Sequence, residues 1–226
     1  MDRATFNLFE NYMLNCMEDS AHDKEHIYRV LSYAMQIAET EEKVDYDILI
    51  IACLLHDIGR KEQFENPWLC HAEVGGEKAY RFLIEHGFDE MFSDKVRRCI
   101  RQHRYRKNNP PDSLEAKILF DADKLDVTGA MGIARSLIYK GIVEEPLYVQ
   151  RKDGSVSDGT EKGEISFLQE YKFKLEKLYD RFYTEKGAQM AKTRQSAAVA
   201  FYNSLLSEAQ EAHENGQQIL VERGLR

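Results

Sequence analysis

Apolar positions recur at three- and four-residue spacing through most of the chain, as expected of helices with one buried face. Phe6, Phe9, Tyr12, Met13 and Cys16 mark a first amphipathic helix. A second begins near Ser20 or Asp23, runs to about Glu41, and buries Ile27, Val30, Leu31, Ala34 and Ile37. A third, capped by Asp45, is apolar nearly all round in DILIIACLLHD and so belongs at the domain centre; Gly59 is placed to end it. Further helices are predicted near 71–86, 90–104, 112–124 and 126–140, with breaks at Gly87 and at Asn108-Asn109-Pro110-Pro111. Two longer ones follow near 165–185 and 188–213. The connection 146–164, which contains RKDGSVSDGTEKGE, reads as a surface loop with a short hairpin across Asp153-Gly154, and is the best lid candidate. β-branched residues sit in helical rather than alternating context. The predicted fold class is therefore all-α: a single-domain helical bundle over 1–226, with additional C-terminal helices over 165–215.

One polar pair breaks the apolar pattern where it is strongest. In LLHDIGR, His56 and Asp57 follow an apolar run directly, and polar groups beside a core are costly without partners. Other histidines with acidic or basic neighbours also fall near predicted helix ends: His22 and His26, His71, and His103. They are followed by the carboxylates of DADKLD, namely Asp121, Asp123 and Asp126. Imidazoles with carboxylates and no thiolate suit Mn, Fe, Zn, Ni or Co, and an ion would offset the cost of burying Asp57. His22 lies four residues before His26, on the same face if the helix extends that far. Ser20 with Asp23 alternatively forms a capping box that makes His22 a first-turn residue. His86 and His213 stay outside the candidate site.

The order H-x-x-R-V (His26 to Val30), HDIGR (His56 to Arg60) and DADKLD resembles the HD-domain metal-dependent phosphohydrolase superfamily, over roughly residues 20–140. DADKLDVTGAMGIAR and the helices behind it resemble a bacterial subgroup of small stand-alone HD hydrolases. The resemblance implies a helical bundle holding one divalent metal on His26, His56, Asp57 and Asp123, with Asp121 the second choice for the last ligand. His71, in CHAEVGGEKA, and His103, in IRQHR, resemble the histidines with which some members hold a second ion; Asp57 would then bridge the two. If they do not bind metal, they can contact phosphate or, like His103, donate a proton. The resemblance also implies hydrolysis of a phosphate ester or anhydride, most often of a nucleotide, with Mg among the usable ions.

Bulk properties narrow the partners. The chain of 226 residues has a net charge of −8, which argues against electrostatic binding of long nucleic acids. Against that background, KVRRCIRQHRYRK (95–107) carries seven basic residues in thirteen positions and flanks His103. A small anionic phosphate substrate is the natural expectation, with Arg29, Arg60, Lys61, Arg104 and Lys124 as phosphate-binding candidates. Arg29 would alternatively orient Asp57. Asp126 or Glu62 would serve as general base. The rival functions are a phosphodiesterase of cyclic nucleotides or nucleic acid on a two-metal site, and a non-enzymatic regulatory protein with a structural metal. The four cysteines form no CxxC pair, Ile48 to Leu55 is far short of the ~20 apolar residues that span a bilayer, and no secretory leader opens the sequence. A reducing cytoplasm and no membrane partner are expected. An apolar stripe in the C-terminal helices, including Leu175, Leu178, Phe201 and Leu205, suits core packing or a homodimer surface.

Overall fold

The computed structural model describes residues 1–17, 24–104 and 109–225. His22, the Ser20–Asp23 cap and positions 105–107 of the basic run lie outside them. The protein is all-α, with no strand among the described residues, and they fall into two compact units. The first comprises Met1–Asp126 with Phe182–Gly187, the second Val127–Arg181 with Ala188–Arg226.

The first unit is organised around one apolar helix. Helices α1 (Arg3–Cys16), α2 (Lys24–Ala38) and α3 (Tyr46–Leu55) follow the predicted order. Asp45 caps α3 by accepting from the Ile48 amide at 3.2 Å. Ile48, Leu49 and Ile51 through Leu55 are all buried, because α3 packs against α1, α2, α5, α6 and α7. The central helix stops before Gly59, at Leu55 with His56 as its C-cap, and the chain then turns into a short helix that periodicity does not reveal. This is α4 (Arg60–Glu65), with Gly59 at its N-cap. Helices α5 (His71–Glu85), α6 (Glu90–Gln102) and α7 (Leu114–Leu125) complete the layer. Ser113 caps α7 through the Ala116 amide.

The second unit holds α8 (Gly129–Ile142), α9 (Phe167–Phe173), a 3-10 turn (Leu175–Lys177) and most of α10 (Glu185–Glu222). Its core gathers Ile133, Phe167, Leu168, Tyr171, Leu175, Leu178, Ala198 and Tyr202. The 146–164 connection carries one isolated antiparallel bridge, Gln150 with Val156, and Gly154 turns it with a left-handed φ of +89°.

The single helix predicted over 165–185 is broken instead. Asp121 accepts from the Tyr183 and Thr184 amides at 2.9 and 2.7 Å and from the Thr184 hydroxyl at 2.7 Å. Those amides are thus bonded to a carboxylate some sixty residues away rather than to carbonyls one turn back. Thr184 Oγ1 in turn accepts from the Gly187 amide at 3.1 Å and starts α10. Asp121→Ala is expected to lower stability by about 1–2 kcal/mol, as loss of a helix cap does. A urea midpoint unchanged from wild type would show that this link contributes nothing.

Candidate metal centre

Two of the four site histidines owe their orientation to helix ends. The last turn of an α-helix leaves carbonyls without amide partners. His56 closes α3 and His103 closes α6. Each turns back on its own helix, with Nδ1–H donating to Cys53 O at 2.7 Å and to Ile100 O at 2.6 Å. A carbonyl only accepts, so each Nδ1 carries the hydrogen and each Nε2 presents a lone pair. His26, in the first turn of α2, donates from Nδ1 to Asp126 Oδ2 at 2.7 Å. His71, the first residue of α5, donates from Nδ1 to Gln63 Oε1 at 2.6 Å.

The four Nε2 atoms then meet in two pairs: His26 and His56 at 3.3 Å, and His71 and His103 at 3.2 Å. Two imidazoles binding one ion at ~2.1 Å and roughly right angles or slightly wider place their nitrogens about 3.0–3.4 Å apart. A carboxylate completes each pair. Among the described residues, His26, His56 and Asp123 form one group able to hold an ion, and Asp57, His71 and His103 form another. Asp57 faces both. Its Oδ2 lies 3.6 Å from His26 Nε2 and 3.8 Å from His56 Nε2, while its Oδ1 lies 3.5 and 3.7 Å from His71 and His103. The donor set is imidazole and carboxylate only, which fits a divalent transition ion.

The two groups differ in charge. Burial pulls His71 down to about 2 and His103 down to about 4, and also lowers His56. All three are neutral near pH 7 and ready to bind an ion. Burial disfavours the His26 cation too, but hydrogen bonds to Asp123 and Asp126 and the charges of Asp123 and Asp57 outweigh it, pushing His26 up to about 9. Burial likewise opposes the Asp57 anion, yet Arg60 and the surrounding imidazoles hold its carboxyl well below the ordinary carboxylate range. His26 is therefore protonated at pH 7 before an ion arrives and must lose that proton to bind one. Metal binding to its group is expected to release about one proton, with affinity rising roughly tenfold per pH unit until about pH 9. The His71 group is expected to release none. Titration calorimetry in buffers of different ionisation enthalpy measures this directly, and binding at the His26 group without proton release would contradict it.

Several predicted site residues lie elsewhere or act differently. Asp121 is not in either group, being fully buried and bonded to Tyr183 and Thr184; two positions from Asp123, it leaves α7 on another face. Asp126 is fully buried behind His26, not placed as a general base. Arg29 bonds that same carboxylate from Nε at 2.7 Å and Nη2 at 3.1 Å, so it supports His26 through Asp126. Glu62 pairs with Lys78, whose Nζ also donates to Ile58 O at 2.9 Å inside the HDIG turn. Arg60 donates to Asp57 Oδ1 at 2.9 Å. Arg104 reaches Cys70 Sγ at 3.7 Å, Lys124 lies over the Phe120 ring, and Lys61 is exposed on α4. Gln63 and Lys78 were not foreseen. Nothing local marks them, because their partners depend on how α4 folds back beside α5.

The model of the HD domain matches residues 24–128. YpgQ of Bacillus subtilis (strain 168) is 30% identical over 192 residues, covering 83% of this chain and 84% of that protein. This chain belongs to the HD-domain family. Among solved structures, a predicted HD superfamily hydrolase from an uncultured Thermotogales bacterium is 32% identical with a TM-score of 0.58, covering 91% of each chain. A Bacillus thuringiensis HD-superfamily hydrolase is 26% identical with a TM-score of 0.68, covering 91% of this chain and 97% of the other. Bacillus subtilis YpgQ in complex with ADP is 26% identical with a TM-score of 0.68, covering 90% and 97%. The HD segment thus coincides with the helices that carry both ligand groups of this HD-domain protein. No described helix is long and apolar enough to cross a membrane.

Proposed function

We propose that this HD-domain protein is a metal-dependent phosphohydrolase that holds two divalent ions and cleaves a phosphate ester or anhydride of a nucleotide. One observation carries the proposal: two groups of three ligand atoms lie on either side of the Asp57 carboxylate, which belongs to the His71 group and faces His26 and His56 at 3.6 and 3.8 Å, and the His56, His71 and His103 tautomers leave lone pairs on Nε2. Two ions bridged by a carboxylate, ~3.5–4 Å apart, are a recurrent device of phosphate chemistry. Held by His26, His56, Asp57, His71, His103 and Asp123, divalent ions would supply a water of lowered pKa and a polarised phosphoryl oxygen. The chain's own part is to hold ligands still and to receive negative charge. Asp126, Cys53 O, Ile100 O and Gln63 fix the four imidazoles. Arg60, already beside Asp57, is the basic side chain best placed for a phosphoryl oxygen, where a guanidinium makes paired hydrogen bonds. Nucleotides are the favoured class because the similar YpgQ structure contains ADP.

The test is turnover by metal-stripped protein resupplied with Mn, Co, Ni or Mg. Nucleoside triphosphates and diphosphates, monophosphates, cyclic dinucleotides and an aryl phosphate would be compared. Metal-restored hydrolysis of linear nucleotides is expected. Preference for cyclic dinucleotides would move the assignment to a phosphodiesterase, and no hydrolysis with any ion would refute the enzymatic proposal. His103→Ala is expected to bind one ion fewer than wild type.

A further inference from the structure

His71 differs from the other three histidines in what holds it. His56 and His103 sit at helix C-termini, where carbonyls of their own last turn are within reach of Nδ1. His26 has a buried carboxylate. His71 is the first residue of α5, and a helix start offers amides but no carbonyls from a preceding turn. Its Nδ1 needs an acceptor from another element, and the acceptor is Gln63 Oε1 on α4 at 2.6 Å.

A glutamine side chain alone does not choose a tautomer, because its amide can present either oxygen or nitrogen. Here the choice is made on the far side. Gln63 Nε2 donates to the Leu69 carbonyl at 3.0 Å. That carbonyl accepts only, so the NH2 group must face Leu69 and the oxygen must face His71. Nδ1 of His71 then has to carry the hydrogen, and Nε2 points with a lone pair toward His103 Nε2 and Asp57 Oδ1.

We propose that Gln63 is a positioning residue that locks His71 into the tautomer whose Nε2 is a metal ligand, with the Leu69 carbonyl setting the direction of the relay. The assignment rests on the two-ion proposal for its consequence in metal binding, but not for the tautomer itself. Partners that fix the second nitrogen of a metal-binding histidine typically change metal affinity by about 10–100-fold when removed.

Two variants of the full chain separate the possibilities. Gln63→Leu removes both hydrogen bonds at nearly constant volume. Gln63→Glu keeps an acceptor for His71 but cannot donate to Leu69. Long-range proton–nitrogen spectra of 15N-histidine-labelled, metal-free protein report the tautomer. Mn or Co titration reports each ion's affinity. Wild type is expected to show His71 protonated on Nδ1. In Gln63→Leu that resonance is expected to shift to mixed tautomers, with affinity of the His71 group falling about 10–100-fold and the His26 group unchanged. Gln63→Glu is expected to restore both. If Gln63→Leu keeps the wild-type tautomer and both affinities, the proposal fails. If Gln63→Glu stays as impaired as Gln63→Leu, the effect runs through the 66–69 turn and not through His71, and the proposal also fails. A wild-type protein that takes up only one ion would sink the two-ion proposal, while the tautomer shift would still sustain the role of Gln63.

Discussion

Replacing Asp57 with alanine is expected to cost the protein its bound metal and to lower turnover by about 10²–10³-fold or more, the scale set by losing one preorganised electrostatic contact. Among the described residues, Asp57 is the side chain whose oxygens face both ligand groups. Its removal takes an anion from four imidazoles at once, and it leaves Arg60 beside them with its carboxylate partner gone. With two ions bound as proposed, they and a guanidinium would then crowd one another, with Asp123 the carboxylate left in the described ligand groups to offset them. Asp57→Asn is expected to fail nearly as badly, because an amide offers one acceptor oxygen where the bridge needs two. Helix content should be retained, since the buried apolar side chains of α3 are untouched. Metal content by elemental analysis and helicity by circular dichroism check this together. A variant with full metal and full turnover would show that the bridge is wrongly placed.

Gly59→Ala is the second large effect, and it acts through packing rather than charge. A Cβ at Gly59 would lie 2.4 Å from His71 O and 2.6 Å from the Gly75 amide nitrogen. Both are backbone atoms of α5, so no side-chain rotation relieves the clash. The φ of Gly59 is −96°, which any residue adopts, so the requirement is for space alone. To admit a methyl group, α5 would have to move away from the turn after Asp57, taking His71 with it. Overpacking of this kind costs about 1–3 kcal/mol or more. The expected result is a lower urea midpoint together with weakened metal binding at the His71 group. Unchanged stability and metal content would mean that α5 does not approach the turn so closely.

The close approach of α4 and α5 also explains what could be read in the chain before its fold was known. Helix periodicity is a local property: which residues line one face follows from 3.6 residues per turn, and α1, α2, α3, α5, α6 and α7 lie close to where the spacing of apolar residues puts them. The position of His56 at the end of an apolar helix is equally legible, because the apolar run stops there in the sequence. The candidate ligands His26, His56, Asp57 and Asp123 are what the resemblance to HD-domain proteins implies, and the structure brings them together.

Roles that depend on a distant partner were not legible. Asp121, Asp123 and Asp126 are near-identical in sequence context, yet α7 sends one to the Thr184 amide, one to the ligand group and one behind His26. Spacing sets the angles between them around the helix but does not say what waits at each angle. Gln63 is an ordinary polar residue until α4 folds back and puts His71 on one side of it and Leu69 on the other. The sequence by itself determined an all-α protein with a buried His-Asp doublet closing its central helix, because those features depend on neighbours within a few residues. Tertiary structure alone decided which distant carboxylate meets which imidazole, such as Asp126 behind His26 and Asp57 beside His71 and His103, because those choices are made by atoms tens of residues apart.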